Sequence, residues 1–198
     1  AVPAGDDDFM VEEARKMYHK ISPETGEFID FMIEHELMDL KNKPGKAATG
    51  YMTFLPDYRA PFVFSNFNQT IFDMQVLTHE LGHAFAGYMA MREQPITEYY
   101  SESTDIAEIH SMSMEQFSYP YAEAFFGKDA DKFRFAHLQE AIIARSSSLA
   151  ASFSIMDATV TTSCMDMPRS SAFSSISAVM RLWKFSRNLL MALDACMP

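Results

Sequence analysis

His79, Glu80, Leu81, Gly82 and His83 place two imidazoles four positions apart with a carboxylate between them, and this spacing constrains the chain more than any other feature. On an α-helix, at about 100° per residue, the two rings stand only ~40° apart around the axis, and Glu80 lies roughly 60° from His83. One divalent cation can bridge both rings while the glutamate stands beside it, placed to take a proton from an attacking water. Thr70 followed by Asp73 predicts the start of that helix, and Met74, Val76, Leu77, Leu81, Ala84, Phe85, Tyr88 and Met89 make it apolar on most sides. The helix is therefore expected to be buried, where two histidines and a glutamate carry a desolvation cost that calls for partners. A metal ion supplies them. A capped core helix whose histidines are simply hydrogen-bonded is the plainer alternative.

A catalytic zinc site has three protein ligands and one open position. The variant with a third histidine six positions beyond His83 is excluded, because Met89 stands there and Ala86 replaces its glycine. Downstream, Ser103 to Glu115 reads as a second helix on which Asp105, Glu108, Ser111 and Glu115 form a polar stripe at spacings of three, three and four, with Ile106, Ile109 and Phe117 on the other side. Such a stripe is commonly a solvated face, but this one has apolar neighbours and lacks basic partners. Glu108, its central member, is the best ligand candidate, and Asp105 and Glu115 are candidates to accept hydrogen bonds from the metal-bound imidazoles and so orient them. Gly82 costs a helix about 1 kcal/mol relative to alanine and is expected where another backbone comes close. His110, two residues from Glu108, points about 200° around the helix from it and reads as a core or substrate-facing residue. His19, His35 and His137 have no motif around them and read as structural or exposed.

The stretch Val76 to Phe85, taken with Asp105 to Glu115, closely resembles oligoendopeptidase F and its relatives in the thimet-type metallopeptidase family. The likeness continues upstream through Ser22 to Phe28, Asp39-Leu40, Gly50-Tyr51, Leu55 to Tyr58 and Pro61 to Asn68, and covers roughly residues 15 to 143. The resemblance implies a mainly α, zincin-type catalytic domain with a small antiparallel β-hairpin at the active site. It also implies one zinc ion on His79, His83 and Glu108, Glu80 as general base, and hydrolysis of short peptides in an enclosed helical chamber. Glu108 falls twenty-five positions after His83, as the family pattern requires.

Tyr51 to Leu55 and Phe62 to Ser65 favour strands, and Pro56 to Pro61 between them is a turn-rich connector, so a hairpin is predicted. Its exposed edge could hold an extended peptide by main-chain hydrogen bonds, which makes Gly50, Tyr51 and His110 candidate substrate contacts. A hairpin that only packs on the histidine helix fits the same residues. The resembled family has two glycines before the tyrosine. Here Thr49 occupies the first of those positions, and its side chain could crowd an approaching substrate.

With 27 acidic against 16 basic residues the net charge is -11, which argues against nucleic acid and anionic membranes as partners and favours metal ions and cationic peptides. No apolar run approaches the ~20 residues of a membrane span, and Ala1 to Asp8 lack signal-peptide character, so a cytoplasmic setting is expected. Cys164 and Cys196 show no paired spacing. Helices are predicted from about Phe9 to Lys20, from Ser22-Pro23 to about Leu40, and from Ala130 to Ala144.

Two segments are expected, residues 1 to 143 as part of a catalytic domain and residues 144 to 198 as a serine-rich tail. After Ile143 there is no histidine, tyrosine or glutamate, while eleven serines fall between Ser146 and Ser177. The resembled family continues beyond a His-Leu pair like His137-Leu138 with Pro-Tyr and Asp-Glu-Phe-Gln-His segments that help bind substrate and stabilise the oxyanion, and neither segment follows Leu138 here. A shifted reading frame or an unrelated junction is the hypothesis that would account for the change, and the front of the chain also reads as truncated. Two other functions remain open at this stage: a catalytically inactive fragment in which the metal only ties two helices together, and a different zinc peptidase such as an aminopeptidase.

Overall fold

The computed structural model describes residues 1–101 and 103–146, so the serine-rich tail lies outside the described residues almost entirely. Two helices, α1 (Asp7–Ile21) and α2 (Pro23–Glu34), open the chain. Asp6 caps α1 by accepting from the Phe9 N–H at 2.9 Å. Ser22 both ends α1 and caps α2, trading hydrogen bonds with Thr25 in a capping box, and Thr25 also donates its hydroxyl to the Tyr18 carbonyl at 2.7 Å. The predicted continuation of α2 to Leu40 is corrected here. The helix ends at Glu34, because Glu36 turns left-handed (φ 54°) and the N–H groups of Glu36 and Leu37 donate back to the carbonyls of Ile33 and Met32. That is a Schellman ending with glutamate where glycine usually stands, so it left no sequence signal.

Residues Met38–Lys41 form instead a short strand, β1. The expected hairpin follows as β2 (Tyr51–Leu55) and β3 (Ala60–Phe67), antiparallel with Tyr51 opposite Phe64 and Leu55 opposite Ala60. β1 pairs parallel with β3, Met38 opposite Val63, which makes a three-stranded sheet in the order β1-β3-β2. The hairpin turn is a 3-10 turn from Pro56 to Tyr58 closed by Arg59 in the left-handed region (φ 49°). The Arg59 guanidinium donates twice to the Met91 carbonyl, at 2.7 and 3.1 Å, and so fastens the turn to the C-terminal end of the next helix.

That helix, α3 (Ile71–Glu93), carries the histidine pair. Its start is fixed as the sequence predicts, with Asp73 accepting from the Thr70 and Asn68 N–H groups. Twelve of its 23 residues are buried, so it forms a spine of the core, as its all-round apolar pattern requires. Against it pack α2, β2, β3 and α4 (Thr104–Phe117), while α1 joins through α2 and through a short α5 (Ala122–Phe126), against which α6 (Ala130–Ser146) lies. Phe28, Phe85 and Tyr88 meet edge-on or tilted at centroid distances of 5.4 Å and seal α2 against α3. The fold is mainly α with a small sheet, as the sequence reading expects.

Gly82 fixes the crossing of α3 with α4. A Cβ placed there would lie 2.6 Å from the Ser111 Cα and 3.0 Å from the His110 carbonyl oxygen. Gly82→Ala is therefore expected to lower stability by about 1–3 kcal/mol through overpacking, against a helix-propensity gain of about 1 kcal/mol, read as a reduced urea midpoint at unchanged slope. Tyr18 is fully buried and its hydroxyl has no hydrogen-bond partner among the described residues, so burial pushes its pKa well above the usual phenol range. Tyr18→Phe should raise stability by about 1 kcal/mol in the same measurement, since an unsatisfied buried hydroxyl costs about 1–3 kcal/mol.

Candidate metal centre

Helical spacing alone brings the His79 and His83 rings together, edge to face with centroids 4.8 Å apart and Nε2 atoms 3.2 Å apart. The contact at Gly82 then brings α4 close enough for Glu108 to reach both. Its Oε2 lies 3.4 Å from His79 Nε2 and its Oε1 3.7 Å from His83 Nε2. All three donor atoms fall within 4.8 Å of one another, and they form the one group among the described residues with the composition and spacing to hold a metal ion. Donors held tetrahedrally at about 2.1 Å from a small divalent cation stand roughly 3.4 Å apart, so the observed separations fit such an ion. Ser111, buried on the same side of α4, donates its hydroxyl to Glu108 Oε2 at 2.9 Å and steers the carboxylate toward the rings.

Tautomers follow from the remaining contacts. Glu115, one turn further along α4 from Ser111, accepts from His79 Nδ1 at 2.5 Å. An ionised carboxylate only accepts, so the His79 proton sits on Nδ1 and the Nε2 lone pair faces Glu108 and His83. His83 makes its other hydrogen bond to the Ala107 backbone. Burial acts to lower the His79 pKa, but the hydrogen bond and charge of Glu115, with Glu108 and Glu80 nearby, outweigh it and leave the pKa raised. His83 moves the other way, lowered first by burial and then by the charge of His79. Burial raises Glu80, helped by the negative charges of Glu108 and Glu115 and opposed by His79.

Glu80 is buried and faces the start of β2, where a Cβ on Gly50 would come within 3.4 Å of its Oε1. Tyr51 is partly exposed and stacks on Phe64 at 4.9 Å. The hairpin thus lies along the glutamate side of α3, with β2 at the edge of the sheet. Thr49 is exposed and its carbonyl accepts from Asn66 Nδ2 at 2.9 Å. His110 is not one of the three grouped donors, although it lies near enough to His83 to act on it electrostatically, and its backbone carbonyl faces Gly82. The Asp105 side chain lies outside the described residues.

Sequence reasoning missed His137. It is buried on α6, and its Nε2 lies 2.5 Å from Glu115 Oε2 while its Nδ1 lies 2.5 Å from the Tyr119 hydroxyl. The available signal was its spacing: Ala130, Phe133 and His137 form an apolar stripe on α6, and a histidine on such a stripe needs buried partners. Glu115 is accordingly held below the usual carboxylate range: burial pushes it up, but the hydrogen bonds from His137 and His79 prevail.

Comparison with known proteins bears on the family to which the chain belongs. The model of peptidase family M3 matches residues 11–166. A solved structure assigned as an oligoendopeptidase F is 55% identical with a TM-score of 0.70, over 72% of this chain and 25% of its own. PZ peptidase A, solved with an inhibitor, is 51% identical with a TM-score of 0.69, over 71% of this chain and 25% of its own. A protein assigned as oligoendopeptidase F from Bacillus anthracis str. Ames is 42% identical with a TM-score of 0.72, over 88% of this chain and 32% of its own. No curated protein matches. The chain spans about a quarter to a third of the length of these solved relatives. The family model and these likenesses together make the chain a member of peptidase family M3.

Proposed function

We propose that the chain carries the zinc-binding and proton-transferring part of a metallo-oligopeptidase that hydrolyses short peptides. The observation that carries this reading is the convergence of His79 Nε2, His83 Nε2 and a Glu108 oxygen within 4.8 Å, beside a buried Glu80. His79, His83 and Glu108 would hold one zinc ion, with Glu115 and Asp105 orienting the ligands. Bound there, the ion supplies Lewis-acid polarisation of the scissile carbonyl and acidification of a water. Glu80 accepts the proton of the attacking water and then passes it to the leaving amine. Its burial favours the neutral acid, which suits a group that must carry a proton between the two steps. The edge of β2 would hold the peptide backbone in extended form, with Gly50 leaving room above Glu80 and Tyr51 and His110 bordering the substrate. The setting proposed is the cytoplasm; no helix among the described residues is long and apolar enough to cross a membrane.

A second reading, in which zinc only ties α3 to α4, is favoured by the sequence after Leu138, which lacks the segments whose donors would share the oxyanion charge. Their loss would cost ~10²-fold or more in rate. A quenched-peptide assay separates the two readings. The catalytic reading expects about one equivalent of zinc by elemental analysis, cleavage abolished by chelator and restored by zinc, and at least ~10²-fold slower cleavage in Glu80→Gln with zinc retained. Zinc at one equivalent with no chelator-sensitive cleavage would establish the structural reading. End-blocked peptides should be cleaved as well as free ones, whereas an aminopeptidase would reject them. Glu115→Ala should weaken zinc binding by about 10 to 100-fold, measured by competition with a chromophoric chelator.

A further inference from the structure

The His79 imidazole is joined through Glu115 and His137 to the Tyr119 hydroxyl by three successive side-chain hydrogen bonds, each 2.5 Å long. Glu115 is the only acid in this series, and each of its oxygens meets one imidazole nitrogen. A carboxylate offers no proton, so both nitrogens facing it carry one. In a neutral His137 ring with its proton on Nε2, Nδ1 is an acceptor, and the Tyr119 hydroxyl donates to it. The tautomers of both rings are thereby set from outside the metal-binding group.

The surroundings leave His137 little freedom. It is 4% exposed, with Phe133 stacked parallel to it at 5.9 Å (5° between planes) and Tyr119 edge-on at 5.1 Å. Tyr119 is fixed as well. Arg134, one turn before His137 on α6, donates to the Tyr119 carbonyl at 3.0 and 3.2 Å and is itself held by Glu123 and Asp131. Helix α6 thus supplies both a clamp on the Tyr119 turn and the imidazole that bonds the tyrosine. Without His137, one oxygen of a largely buried carboxylate would lose its donor, and Glu115 could rotate away from His79.

We propose that His137 is a positioning residue for the metal centre: by donating Nε2–H to Glu115 it holds that carboxylate against His79 Nδ1 and so presents the His79 Nε2 lone pair to the ion, with the Tyr119 hydroxyl anchoring the His137 ring through Nδ1. The inference rests on the zinc reading of the site. It assigns α6, which contributes no ligand among the described residues, a share in metal affinity.

Competition titrations with zinc on the full chain test it, with His137→Phe, His137→Gln and Glu115→Ala as variants, alone and combined. Phenylalanine keeps the stacking on Phe133 and removes both nitrogens, while the glutamine amide can replace the Nε2–H donor. The expected result is about tenfold or more weaker zinc binding in His137→Phe, recovery to within about threefold in His137→Gln, and less than about twofold effect of His137→Phe in a Glu115→Ala background. ¹⁵N spectra of the metal-free chain should show His79 protonated on Nδ1 in the parent and a mixture of tautomers in His137→Phe, a readout that a purely structural role would not move. Equal zinc affinity of parent and His137→Phe, or an equal loss with and without Glu115, would overturn the proposal. If His137→Phe does not fold, His137→Gln decides: near-parental affinity with His79 still protonated on Nδ1 supports positioning, and a tenfold loss with an unchanged tautomer overturns it. A parent chain that binds no zinc would instead sink the underlying zinc reading.

Discussion

The approach of α4 to α3 at Gly82 is the contact on which the site depends. Two imidazoles on one helix could supply at most two ligands to a metal ion, so a third donor would have to come from an element that the chain reaches only after a turn and a loop. A side chain at position 82 would meet the α4 backbone at Ser111 and His110, so the missing Cβ sets the distance between the helices. That distance in turn sets the reach of Glu108. Ser111 takes part twice, its backbone lying against the glycine and its hydroxyl directing the Glu108 carboxylate. The helix-propensity cost of a mid-helix glycine, about 1 kcal/mol, is offset by close packing and by the convergence it permits.

Charge compensation is the second condition. Three glutamates and two histidines share a largely buried region, and the structure separates their roles by neighbours. Glu115 is kept ionised by two imidazole donors. Glu80, by contrast, is pushed toward its neutral form by burial and by the other two acids. The histidines diverge in the same way: the hydrogen bond and charge of Glu115 outweigh burial and raise His79, whereas His83 is lowered first by burial and then by His79 beside it. One short stretch of sequence thus places chemically distinct groups side by side through contacts made mostly by residues further along the chain.

Much of this was legible in the sequence because the signals were local. Thr70 and Asp73 marked the start of α3, β-favouring residues on either side of a turn-rich connector marked β2 and β3, and the polar stripe on α4 singled out Glu108 and Glu115. What escaped prediction depended on tertiary context. The end of α2 uses a left-handed glutamate in place of glycine, so nothing in the local pattern announced β1. His137 lies 22 residues from Glu115 with no motif around it, and its role exists only because α6 folds back beside α4.

The double hydrogen bond from Arg59 to the end of α3 bears on how the hairpin behaves. A hairpin riveted at its tip to the same helix that carries the histidines cannot swing independently of them. The spacing between Gly50 and Glu80 is then a fixed dimension of the scaffold, and on the proposed reading a peptide laid along β2 would have to straighten to suit it, bearing the loss of conformational entropy itself.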